Sequence, residues 1–165
     1  MARMIAICLL TLLALTTEAR AQAEDGPIPF VFTQTAARAS LDGGDLVLEG
    51  VGEASSYLSD RPERTLKGKL DNLELVQAWA HPGATGVAAR LFDGETLIAE
   101  IKLLGASFAD GAMRYRTEGA PAGQSRTIIP ARLEIDLNGC ITGCSKICPF
   151  NFSRVFFNQL VPCKP

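Results

Sequence analysis

A single histidine, His81, stands in the whole 165-residue chain. One imidazole cannot build a multi-histidine metal site or a two-histidine acid–base pair, so both are excluded at the outset. Positive charge is not in excess either. Sixteen lysines and arginines face 18 acidic residues, for a formal net charge of −2. Nucleic-acid binders carry a basic stripe or patch, and this chain has none. From residue 9 to residue 139 there is no cysteine. No serine lies in Gly-x-Ser-x-Gly, and Gly105, Gly111 and Gly119 open no helix. The chain therefore shows neither the nucleophile elbow of a hydrolase nor a phosphate-cradling loop. Repeats, long linkers and low-complexity tracts are missing too. With 47% hydrophobic and 21% charged residues, the composition is that of a globular domain, which excludes collagen, coiled coil and disorder.

Long apolar runs are equally scarce. The one candidate is Met4 to Leu15, which follows Arg3 and precedes Ala21-Gln22-Ala23. At about twelve residues it is too short to cross a bilayer, which takes about 20. A charged n-region, a short apolar core and an Ala-x-Ala site are the marks of a secretory signal. Residues 1–23 are expected to be removed, with Cys8 among them, and the remaining chain to be secreted or periplasmic, with no membrane span after cleavage.

Strand patterns dominate the chain from Phe30 to Leu137. Phe30 to Ala36 is rich in β-branched and aromatic residues, as strands are. Asp42-Gly43-Gly44-Asp45 is a turn, and after it Leu46 and Leu48 alternate with Val47 and Glu49. Val87 to Phe92 and Glu95 to Leu104 flank Asp93-Gly94, a dipeptide suited to a type I′ hairpin. In the second arm Leu97, Ala99, Ile101 and Leu103 are expected on one face, with Glu100 and Lys102 on the other. After Asp110-Gly111, Met113, Tyr115 and Thr117 alternate with Arg114 and Arg116. Ile129, Ala131, Leu133, Ile135 and Leu137 then alternate with Pro130, Arg132, Glu134 and Asp136. Pro130 lacks a backbone donor, so that strand begins there or lies at an edge.

One segment, about residues 71–80, reads as helix. Asp71 is a candidate N-cap with Glu74 three residues on, Leu70 and Leu75 occupy the staple positions, and His81-Pro82-Gly83 ends it. Leu75, Val76 and Trp79 form its apolar stripe. His81 reads as a helix-end cap and Trp79 as core.

Between the second strand and the helix lies Tyr57-Leu58-Ser59-Asp60-Arg61-Pro62-Glu63-Arg64, two acids and two guanidinium groups around a proline. It reads as a turn, either a rigid solvated one whose charges pair internally, or a small site in which Arg61 or Arg64, beside Asp60, offers its fork to a carboxylate or phosphate. Catalysis by Asp60 with Glu63 is disfavoured, because adjacent arginines lower a carboxylate pKa where a general acid needs it raised. This segment, with Phe32 to Ala36, Leu46 to Val51 and the helix closing on Trp79, resembles a group of uncharacterised secreted proteins of bacteria and archaea. They share a strand ending in Gly-Val, an aromatic-Ser-Asp-Arg-Pro turn and a short helix ending in Trp. Leu58 stands where that group more often has an aromatic. The resemblance covers roughly residues 30 to 120 and implies secretion and a β fold, with no catalytic residue carried over.

The remaining cysteines, Cys140, Cys144, Cys148 and Cys163, all lie in the last 26 residues. An even count in an exported chain reads as disulfides. Two bridges are expected, with three connectivities open, and one of the first three is expected to reach Cys163 and enclose a phenylalanine-rich lid. A reduced tail and a four-thiolate metal site are the alternatives, although the x₃ spacings differ from Cys-x₂-Cys knuckles. Asn151-Phe152-Ser153 matches the N-glycosylation pattern, a short motif that chance often produces.

The expected architecture is thus a mainly β protein, an antiparallel β-sandwich or barrel with one short helix and a disulfide-closed C-terminal tail. Its parts are a signal (1–23), a β domain (24–138) and a cysteine-rich tail (139–165) packed on that domain. The expected function is that of a non-enzymatic binding or interaction module with no cofactor and no metal, whose partner is a protein or a small anionic ligand. The alternative is a small extracytoplasmic hydrolase using carboxylates near Asp60.

Overall fold

The computed structural model of the protein describes residues 28–61, 64–79, 86–119, 125–140, 150–156 and 159–162. The expected signal segment, His81, Cys144, Cys148 and Cys163 lie outside the described residues. In chain order the elements are β1 (Ile28–Ala36), β2 (Arg38–Asp42), β3 (Asp45–Glu49), β4 (Ala54–Arg61), β5 (Arg64–Asp71), α1 (Asn72–Trp79), β6 (Val87–Asp93), β7 (Thr96–Ala109), β8 (Ala112–Glu118), β9 (Arg126–Ile128), β10 (Ala131–Cys140), β11 (Phe150–Phe156) and β12 (Gln159–Pro162). Among the described residues the protein is mainly β with one short helix. Its principal strands form an open antiparallel sheet in the order β5-β4-β1-β10-β6-β7-β8-β3-β2-β9. A hairpin of β11 and β12 extends it, with β11 joining the end of β10 in parallel.

Two long chain segments run through this order. Only Ala37 separates β1 from β2, and only Ile129 and cis-Pro130 separate β9 from β10. The segments stay paired on both sides of these breaks, with Ala36 opposite Ala131 and Ala39 opposite Ile128. Pro130 thus stands just before β10, a central strand, as its missing donor requires. Ile129 is 61% exposed, so the inward row begins at Ala131 and not at Ile129.

Period-two alternation builds the core. Phe30, Phe32, Leu46, Leu48, Leu91, Leu103, Met113, Tyr115, Leu133 and Ile135 are all buried. Phe30, Phe32 and Tyr57 meet with ring centroids 5.7–6.2 Å apart, the spacing of attractive tilted pairs. Helix α1 adds Leu75 and Trp79 to the same cluster, and the Trp79 ring lies 5.7 Å from Tyr115. At the helix start the Leu73 N–H donates to Asp71 Oδ1 at 2.7 Å, the N-cap bond that satisfies a donor with no partner in the helix.

The structure departs from the sequence reading in three places. The segment Tyr57 to Arg64 is not a turn between a strand and a helix. Tyr57 to Arg61 belong to β4, which pairs with β5 over its whole length from Ala54–Asp71 to Arg61–Arg64. Serines at the inward positions 55 and 59, both buried, hide the hydrophobic alternation that marks a strand. Second, the β6–β7 hairpin turns at Gly94-Glu95, since Asp93 pairs with Thr96. Positive φ at both central residues, the type I′ requirement, occurs instead at Asp110-Gly111 (φ 54° and 69°). Third, β7 is longer and less regular than its alternation implies. A register shift between Leu91 and Phe92 turns Leu97 outward (47% exposed), and a second lies between Leu103 and Gly105. One extra residue in a strand swaps the faces of everything beyond it.

Phe32→Ala is expected to cost about 3–5 kcal/mol by core truncation. Leu97→Ala, placed inward by the sequence pattern and outward by the structure, is expected to stay within about 0.5 kcal/mol. Urea denaturation of the two variants checks both values.

Candidate functional site

Residues alternating with the core ones form the outer face of the sheet, and on β10, β6, β7 and β8 they are mostly charged. Arg90 on β6 stands opposite Glu134 on β10 and opposite Glu100 on β7. Its Nη2 lies 3.2 Å from Glu134 Oε2 and 3.7 Å from Asp136 Oδ1. Arg132 donates to Glu134 Oε1 and to Glu95 Oε2, each at 3.1 Å, and its guanidinium carbon sits 4.4 Å above the centre of the Phe92 ring. On the next strands Lys102 Nζ is 3.3 Å from Glu118 Oε2. Ion pairs this exposed contribute only about 0–1 kcal/mol each. Their main effect is to hold the side chains in place.

A concavity on this face has a volume of about 740 Å³. Arg90, Lys102, Glu100, Glu118 and Asp136 line it over a floor of Gly86 and Ala88. Gly86 has φ +52°, and a Cβ there would overlap Lys102 Cε. The lysine stem therefore lies directly over the glycine backbone on its way to Glu118. Two cations and three carboxylates thus project from strands that pair along their length. Such a groove can recognise a partner bearing both signs of charge.

A second constellation lies inside the core. The Tyr115 hydroxyl donates to Gln34 Oε1 at 2.7 Å, and Gln34 Nε2 donates to Ser55 Oγ at 2.8 Å and to Asn72 Oδ1 at 3.2 Å. Ser55 Oγ donates to Asn72 Oδ1 at 2.5 Å, and Asn72 Nδ2 to the Gly52 carbonyl at 2.6 Å. Gln34, Ser55 and Asn72 are at most 1% exposed. The hydrogen bonds run one way from the phenol to a backbone carbonyl, and satisfy polar groups that would otherwise be costly to bury. Burial pushes the Tyr115 hydroxyl far above its ordinary pKa, and the bond to Gln34 offsets only part of that rise. No sequence signal marked Gln34, Ser55 or Asn72, because their partners are 17 to 81 residues away.

Of the residues singled out from the sequence, Asp60 pairs in register with Thr65, and Arg61 with Arg64, at the end of the β4–β5 hairpin. Their side chains lie outside the described residues. Two strands, β1 and β10, separate this hairpin from β6, so the strand order does not bring Asp60, Arg61 or Arg64 to the groove. Cys140 ends β10 and pairs in register with Asn151. Among the described residues, no group of three or more histidine, cysteine, aspartate or glutamate side chains is placed to hold a metal ion, and no helix is long and apolar enough to cross a membrane. Comparison with protein-family models, with curated proteins and with solved structures finds no match for this chain.

The Tyr115 shift has a pH consequence. Its folded-state pKa lies above the unfolded value of about 10, so the folded form keeps a proton that the unfolded form loses. Stability is full below about pH 10 and falls as pH rises, by about 1.4 kcal/mol per pH unit. Tyr115→Phe is expected to remove that one-proton slope relative to the unmodified protein in urea titrations between about pH 9 and 11. At pH 7 it is expected to cost about 1–3 kcal/mol, because Gln34 Oε1 loses its donor.

Proposed function

We propose that this is an exported, non-enzymatic binding module whose partner docks in the charged groove of β6, β7, β8 and β10. The observation that carries this reading is the groove itself, about 740 Å³ in volume, with cations and carboxylates alternating around a glycine–alanine floor. Side chains braced by Arg90–Glu134 and Lys102–Glu118 pairs lose less freedom on binding than unbraced ones, which favours recognition. Export is supported by the Met4 to Leu15 run before Ala21-Gln22-Ala23, and by the resemblance of Tyr57 to Arg64 to secreted proteins. The sheet is proposed to close as a barrel. Support comes from the strand order, in which β1 and β2, one residue apart in the chain, stand near opposite ends. Cys140, Cys144, Cys148 and Cys163 are proposed to form two disulfides in the exported chain.

The test of the binding reading is an NMR titration of the exported chain with lysine, glutamate and the Lys-Glu dipeptide. The dipeptide is expected to bind best and to shift the amides of Gly86, Ala88 and Gly119. Arg90→Ala is expected to weaken it by about tenfold or more while stability stays within about 1 kcal/mol. Unchanged dipeptide affinity in Arg90→Ala, or chemical conversion of any of the three compounds, would overturn the reading. For the cysteines, a thiol count on oxidised exported protein is expected to find none free, whereas four reactive thiols would exclude the bridges.

A further inference from the structure

A second hollow, of about 370 Å³, lies on the outer face of β3, β7 and β8. It owes its shape to the second irregularity of β7. The register shift places Gly105 opposite Arg116 and Ser107 opposite Arg114. Beyond it Ala106 and Phe108 pack toward the core, so Gly105 and Ser107 become the outward residues. The floor beneath the two arginines is therefore small. The Arg116 guanidinium lies along it, since a Cβ built on Gly105 would meet Arg116 Nη2 at 3.4 Å and Nε at 3.5 Å. Arg114 stands two residues along the same strand, about 7 Å away, and projects on the same side.

These arginines differ from those of the charged groove. Arg90 and Arg132 are each held by carboxylates. Arg114 and Arg116 take part in no ion pair among the described residues. Asp45, directly opposite Arg116 on β3, lines the hollow without pairing with it. Two guanidinium forks and one carboxylate give the hollow a net charge of +1, and the Ser107 hydroxyl adds a neutral donor. A guanidinium fork matches the two oxygens of a carboxylate. A singly charged carboxylate neutralises that +1, whereas a doubly charged phosphate would leave an excess of −1 beside the Asp45 carboxylate that lines the hollow.

We propose that the hollow formed by Asp45, Gly105, Ser107, Arg114 and Arg116 binds a small singly charged carboxylate, held by the two arginine forks and Ser107.

The test is an NMR titration of the exported chain with N-acetylglycine as the carboxylate and inorganic phosphate as the competing oxyanion. N-acetylglycine is expected to shift the amides of Gly105, Ser107, Arg114 and Arg116 in a saturable way, and to bind more tightly than phosphate at pH 7.5. Arg114→Gln and Arg116→Gln are each expected to weaken it by about tenfold or more, with melting temperatures unchanged because both side chains are exposed. Gly105→Val is expected to weaken it too, by lifting the Arg116 guanidinium off the floor. Asp45→Asn is expected to bring phosphate up to the affinity of the carboxylate. Failure of N-acetylglycine to saturate, affinity in either arginine variant unchanged from the unmodified chain, or tighter phosphate binding by the unmodified chain would each overturn the proposal.

Discussion

A buried amide has to find partners, and in this protein that requirement ties four elements together. Gln34 on β1 reaches Ser55 on β4, Asn72 at the start of α1 and Tyr115 on β8. Each bond needs its strand in one register only, because a slip of one residue would turn the polar group to the other face. Asn72 contributes more than a side chain. Its backbone N–H also donates to the Glu53 carbonyl at 2.8 Å, so the helix starts where the β3–β4 connection returns to the sheet. The apolar core supplies most of the driving force for burial, and these few directional bonds decide which packing of that core forms.

Strand β7 sets the chemistry of the surface in a comparable way. Its two register shifts divide 14 residues into stretches that face alternately in and out of phase. In the middle stretch Glu100 and Lys102 point outward into the charged groove. In the last, Gly105 and Ser107 do, and their small side chains leave room beneath Arg114 and Arg116. Both of these concavities thus depend on where β7 changes phase. The backbone needs no unusual residue for this, since a bulge only requires one strand to carry an extra residue.

The charges of the outer face fall into two groups with different consequences. Arg90, Arg132 and Lys102 are ion-paired with neighbouring carboxylates, so a partner entering their groove has to replace or extend those pairs. Arg114 and Arg116 form no ion pair among the described residues, although Asp45 stands opposite Arg116, and their charge is available at once. A surface with a braced mixed-charge groove beside an unpaired cationic hollow suits recognition in two parts, one for each region.

Alternation over four or more residues made several strands legible. Phe30 to Ala36, read from its β-branched and aromatic content, and Leu46 to Glu49, Met113 to Thr117 and Ala131 to Leu137, read from their periodicity, are strands in the structure, and the helix starts at the cap that Asp71 supplies. These features are local, fixed by neighbours within a few residues. Strands β4 and β5 were not legible, because serine at an inward position is indistinguishable from a turn residue until its distant partner is known. Nor was the short β2, nor β9, held chiefly by pairing with β2. The bulges of β7, the Gln34 network and the unpaired state of Arg114 and Arg116 lay equally beyond the sequence. Each depends on residues far apart in the chain, and a register between strands exists only once both strands are in place.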